Sequence, residues 1–150
     1  MVSEPPYVIV VLLAVPGRVM DETIRANKAA LDGKIIIDAA NRMGDPQPNS
    51  LATLQAETPN AKTYCAFNTL GWENFVDPVI DGVQADLFFC GPDGDSRATV
   101  EQLIADIGLR PVWLGDNDQI GVVDGLLRLW FALAVGQGKG RHLAFKMITQ

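Results

Sequence analysis

Three short stretches place small or polar residues where an apolar run ends: Ala14-Val15-Pro16-Gly17, Asp38-Ala39-Ala40-Asn41-Arg42 and Ala66-Phe67-Asn68-Thr69-Leu70-Gly71. Gly17 has no side chain, so the backbone there can lie close against a ligand. Asn41, Asn68 and Thr69 can each donate and accept hydrogen bonds, which is what recognition of a carboxamide requires. The same residue types also bond to their own turns, so residue identity alone leaves both roles open.

The absent motifs narrow the chemistry. The chain has no GxSxG, no HExxH, no GxxxxGK[ST], no Cys/His pair and no evident pair of carboxylates, so proteolytic, metal-dependent and phosphoryl-transfer reactions lack their carriers. No catalytic side chain and no metal ligand is assigned. Hydride transfer needs neither, because a bound cofactor supplies the reacting centre while the protein aligns two rings and keeps water out. Cys65 and Cys90 lie in apolar stretches without CxxC spacing and are expected to be buried free thiols. His142 stands alone among basic residues, and a surface or interface role is expected for it.

Residues of these kinds need a scaffold. The 150 residues are 48% hydrophobic and 20% charged, which suits one globular domain with a real core. A net charge of -6 argues against nucleic acid, because nothing in the chain would neutralise a run of phosphates. The first residues carry Glu4 and no Lys or Arg, unlike a signal peptide. The longest apolar runs, residues 8–15 and 129–135, fall short of the roughly 20 residues of a membrane span. A cytoplasmic protein without membrane attachment is expected.

The apolar runs are continuous rather than alternating, the pattern of parallel strands covered on both faces. Strands are predicted over residues 7–15, 34–40, 63–67, 85–90 and 110–114. Helices are predicted over 19–31, with Gly33 as its C-cap, over 50–57, with Ser50 as its N-cap, and over 96–107. The last helix, 119–134, differs in kind, being apolar nearly all round. Such a helix is wrapped on every side, which predicts a homodimer interface; a core helix of the monomer is the alternative. In open parallel sheets ligands bind beyond the carboxyl ends of the strands, where the three opening stretches fall.

In this order, the AVP turn, GKIIIDAAN (33–41), CAFNTLG (65–71), ADLFFCGPDGDSR (85–97), GLRPVWLG (108–115) and GRHLAF (140–145) resemble the deazaflavin-dependent NADP oxidoreductase family. Its members pass hydride between NADP(H) and coenzyme F-420. The resemblance covers nearly the whole chain. It implies an α/β, Rossmann-like parallel sheet with flanking helices, truncated at its N-terminal side, plus a buried C-terminal helix: a single partial NAD(P)-binding domain over residues 1–150 with a dimerisation segment at 119–148. It also implies that Pro16 and Gly17 pass along the nicotinamide half of NADP(H), with Asn41 beside them. The turn Asn68-Thr69-Leu70-Gly71-Trp72 is implied to lie where nicotinamide and deazaflavin meet.

The family's opening strand, GxGxxG-like turn and helix have no counterpart in this sequence, and Gly91-Pro92-Asp93-Gly94 is too acidic to stand in for a phosphate cradle. The chain is therefore expected to be inactive alone. Three accounts remain open: a piece of a longer reductase, a short binding or assembly module derived from one, or a chain whose front half another chain supplies. The strand over 7–15 is expected to be an apolar edge, an association hazard.

Overall fold

The computed structural model describes residues 7–150. Strands β1 (Val10–Leu13), β2 (Ile35–Asp38) and β3 (Lys62–Cys65) form a parallel sheet in that order. The register sets Leu13, Asp38 and Cys65 level with one another, so the three carboxyl ends open onto one side. On one face, helices α1 (Met20–Leu31) and α2 (Leu51–Glu57) close over the sheet, packing Met20, Ile24 and Leu54 against Leu13 and Ile36. On the other, Ile35, Ile37 and Tyr64 join the larger core. The Ile run of β2 is buried on both faces, as its lack of alternation predicts. The outer strand is covered on one face only. Val10, Leu12 and Ala14 line an open apolar groove of about 520 Å³ with Ile37, Phe67 and Leu103, and Val8 and Ile9 are exposed.

The chain changes direction after β3. A short helix α3 (Glu73–Val76) leads into a hairpin of β4 (Val79–Ile80) and β5 (Val83–Gln84). Asp81 and Gly82 form its turn with φ of 50° and 79°, the left-handed pair that two-residue hairpins require. Strand β6 (Asp86–Phe89) then meets the tip of β3 antiparallel, Cys65 and Cys90 exchanging backbone hydrogen bonds of 3.0 and 3.2 Å. Helix α4 (Asp95–Asp106) carries the chain to β7 (Arg110–Trp113), parallel to β6. The two groups of strands are each parallel, as expected, but their joint is not. No helical crossover separates β3 from β6, so the second group enters from the opposite end, and continuous apolar strands carry no sign of direction.

Helix α5 (Ile120–Phe131) continues as a π-helical turn over Ala132–Gly136. Counted from Asn117, the helical stretch has 20 residues with hydropathy 1.4, long and apolar enough to cross a membrane, which shorter runs of unbroken apolar residues conceal. Val123 packs beside Cys65 and Cys90, Trp130 and Ala134 join the larger core, and Leu127 and Asp124 are buried on the same side. The protein covers the helix along one side only, Val122 and Leu129 being exposed on the other.

The segment after Gly136 is a tail rather than a helix, and Asp86 pins it. Its carboxylate is fully buried. It receives Arg110 Nε and Nη2 at 2.7 and 2.6 Å, Lys146 Nζ at 3.1 Å and the Met147 backbone N–H at 2.7 Å. Phe145 bridges backbone to backbone with Asp86. Burial raises the carboxyl's pKa, but the hydrogen bonds from Arg110, Met147 and Lys146 outweigh it and hold the pKa below its ordinary value. The stabilisation is accordingly full above the ordinary value of 3.8 and is lost as pH falls through the folded one. Asp86→Asn should cost about 2–4 kcal/mol near neutral pH in urea unfolding. The gap from wild type should close in acid; a gap independent of pH would show that Asp86 holds the tail without its charge.

Candidate functional site

The strand tips are organised by one buried carboxylate. Asp38, 2% exposed at the end of β2, accepts the Ala40 N–H at 3.0 Å through Oδ1 and the Ser50 N–H at 2.8 Å through Oδ2. It thereby ties the exit of β2 to the start of α2 and fixes both ends of the loop between them. Burial pushes its pKa up, and the two backbone donors only partly offset this. Ser50 does not cap α2 with its side chain as the sequence suggests. Its hydroxyl accepts from Arg42 Nη2 at 2.6 Å, and Asn49 Oδ1 takes the Leu51 N–H instead at 3.0 Å. Arg42 also grips Asp21 at 3.1 and 2.8 Å, and the Thr53 hydroxyl donates to Asp21 at 2.7 Å. The Thr53 hydrogen bond above all, with Arg42, holds Asp21 below its usual pKa.

Above this network lies a cleft of about 460 Å³ lined by Pro16, Gly17, Arg18, Asn41, Arg42, Met43 and Asp45. Gly17 opens a 3-10 turn into α1 and touches the facing loop so closely that a Cβ would sit 2.3 Å from the Asn41 carbonyl oxygen. The carboxamide Oδ1 of Asn41 is buried without a partner. Arg18 is exposed and, among the described residues, makes no ion pair. The cleft thus offers a close backbone, an unmatched amide oxygen and a free cation.

Three of the residues named from the sequence, Pro16, Gly17 and Asn41, come together in this cleft. The others do not join them at its surface. Asn68, Thr69 and Leu70 are buried in the turn after β3, where Asn68 Nδ2 donates to Cys65 Sγ at 3.3 Å while Asn68 Oδ1 and Thr69 Oγ1 find no partner. Phe67, at φ 66°, turns its ring into the apolar groove beside Ala14 and Ala39. Gly71 is packed against Glu73, Trp130 and the Arg141 backbone, a structural contact. Trp72 is 61% exposed outside the turn.

Asp124 escaped the sequence reading. It sits 6% exposed in α5, accepts Asn49 Nδ2 at 2.8 Å and leaves Oδ1 unpartnered. Burial raises its pKa, so it holds a proton more readily than a surface acid. A lone carboxylate in so apolar a helix was the available signal, since a buried acid needs a partner. The two thiols are buried and free. Burial pushes Cys65 far up and Cys90 up to about 12, so neither is a thiolate nucleophile at neutral pH.

No family model matches the chain, and no curated protein matches it in sequence. Solved structures do match in shape. A candidate F420-dependent NADP-reductase from Arthrobacter sp. FB24 superposes with a TM-score of 0.79 at 24% identity, over 93% of this chain and 70% of its own. A hypothetical protein from Sinorhizobium meliloti gives 0.60 at 25% identity, over 94% and 67%. A pyrroline-5-carboxylate reductase from Coxiella burnetii gives 0.50 at 16% identity, over 87% and 47%. The fold is an α/β, Rossmann-like parallel sheet with flanking helices. The Arthrobacter neighbour is consistent with the resemblance carried by the strand-tip segments.

Gly17→Ala tests the cleft as built. The added methyl group must displace the Asn41 carbonyl and the Arg42 stem, at a cost of about 1–3 kcal/mol. Chemical denaturation should show the loss; an unchanged midpoint would mean that the loop yields freely and that the close approach is not a constraint.

Proposed function

We propose that the chain forms the nicotinamide-side part of an NADP-dependent oxidoreductase that moves hydride between NADP(H) and a deazaflavin such as coenzyme F-420, or a related acceptor. The observation that carries this reading is the cleft beyond the carboxyl ends of β1 and β2, the place where doubly wound sheets receive ligands, in a fold shared with a candidate F420-dependent NADP-reductase. Its donors fit the nicotinamide half. Gly17 lets the loop after β1 close against Asn41 at the rim of the cleft, and Asn41 has a carboxamide oxygen without a partner, able to accept from an amide. Arg18 suits a phosphate or carboxylate. The pyrophosphate finds no comparable grip, because no glycine-rich turn precedes a helix in the sequence. Bound nicotinamide would supply the hydride. The chain's own part is to hold the ring flat, exclude water and present an acceptor beside the Asn68–Trp72 turn. The cytoplasm is the setting this reading assigns.

Titration of the purified chain with NADPH, followed by cofactor fluorescence, is the direct test. Binding in the millimolar range is expected, about 4 kcal/mol, weakened about tenfold by Arg18→Ala. No binding at millimolar NADPH would remove catalysis by this chain alone. The second reading, a ligand-binding module without catalysis, is favoured by the lack of any exposed acid or base in the cleft other than Asp45. NADPH binding without hydride transfer to a deazaflavin would establish it.

Asn68 offers a separate check wherever turnover is measured. Leu is similar in size and removes an unpartnered buried oxygen, so Asn68→Leu should leave thermal stability about unchanged. Turnover should fall tenfold or more if the turn meets the rings; normal turnover with a large loss of stability would make Asn68 structural.

A further inference from the structure

Helix α5 reaches the cleft without lining it. Asp124 and Arg128 stand one turn apart on α5, and each extends to the loop over residues 41–49. Asp124 Oδ2 accepts Asn49 Nδ2 at 2.8 Å, and Arg128 Nη2 donates to the Pro46 carbonyl at 3.1 Å. At this spacing the two side chains could pair with each other. Among the described residues neither forms an ion pair, and both reach the loop instead.

The held points and the cleft-lining points of the loop are different residues. Asn41, Arg42, Met43 and Asp45 line the cleft, whereas α5 holds Pro46 and Asn49. Bonds inside the loop connect the two sets: the Arg42 N–H donates to the Pro48 carbonyl at 3.1 Å, the Asp45 N–H to the Arg42 carbonyl at 3.1 Å and the Gln47 N–H to Asp45 Oδ1 at 3.0 Å. Asn49 passes the grip on to α2, its Oδ1 taking the Leu51 N–H. Asp124 is the informative member. An acid withdrawn from water inside an apolar helix is unfavourable, and α5 already has Val123, Leu127 and Trp130 to bury it. What the carboxylate adds is a charge-assisted bond to Asn49, firmer than a neutral one.

We propose, on the nicotinamide reading of the cleft, that Asp124 and Arg128 are positioning residues: from α5 they hold the 41–49 loop against Gly17 in the arrangement that receives the nicotinamide half of a dinucleotide. Helix α5 thereby acts on ligand affinity although none of its residues lines the cleft. A site whose supporting groups slacken by about 1 Å loses its pre-organisation.

Hydrogen exchange and NADPH titration of the whole chain, both read from backbone amide resonances, test this. Asp124→Leu removes the acceptor at similar size, and Arg128→Met removes the donor while keeping the stem. In each variant exchange over residues 41–49 should quicken about tenfold. NADPH should bind about fivefold more weakly, while the melting temperature stays about unchanged, an apolar side chain having replaced a buried charge in Asp124→Leu. Asp124→Asn can still accept from Asn49 and should bind NADPH within about twofold of wild type. Adding Asp124→Leu to Asn49→Ala should weaken binding no further, since both act through one bond. Arg128 is exposed, so Arg128→Met decides the matter should Asp124→Leu unfold. Exchange and affinity that both variants leave at wild-type values would overturn the inference. So would a loss of stability with loop exchange unchanged, which would make the two residues supports of the helix alone. A wild type that binds no NADPH would remove the nicotinamide reading and this inference with it, whereas binding that the variants leave intact would remove the inference alone.

Discussion

Two backbone N–H groups, those of Ala40 and Ser50, hold a buried carboxyl in place beneath the strand tips, and the geometry of the cleft follows from that bond pair. Asp38 is almost out of water, and an unpaired charge there would be costly. Charge-assisted bonds to the two amides make it tolerable. Because the donors stand on either side of the loop over residues 41–49, the loop has little freedom where it leaves β2 and where it enters α2. Arg42 is drawn toward Ser50 and Asp21, and the Asn41 carbonyl is left facing Gly17 at a separation that no side chain could share.

Asp86 plays the matching part at the far end of β6. Both carboxylates start a turn or tail that would otherwise be loose, but their surroundings differ. Asp38 is hydrogen-bonded only by amides, so burial prevails over these and the nearby Arg42 and its pKa rises, whereas Asp86 is bonded by Arg110 and Lys146 and its pKa falls. Acid therefore acts on the two ends in opposite senses, loosening the tail while relieving the charge under the cleft.

Much of this was legible. Continuous apolar runs located β1, β2 and β6 within a few residues, and Gly33 marked the end of α1. The hairpin was missed although Asp81-Gly82 between short apolar pairs is its ordinary signature. The antiparallel joint could not be read, since a strand buried on both faces looks the same in either direction. Pro16, Gly17 and Asn41 were recognisable as strand-end residues. The network beneath them was not, because Ser50 resembles a helix cap and only the fold shows that Arg42 takes its hydroxyl. Asn68 and Thr69 illustrate a limit of residue type: suited to a ligand by their chemistry, they are packed inside the turn.

Cys65 and Cys90 face each other where the two groups of strands are stitched together. Both thiols are sealed in and held protonated by burial, so a thiol reagent can reach them only when the seam parts. The speed of labelling is consequently a clock for breathing between the halves of the sheet, built into the molecule without any added probe.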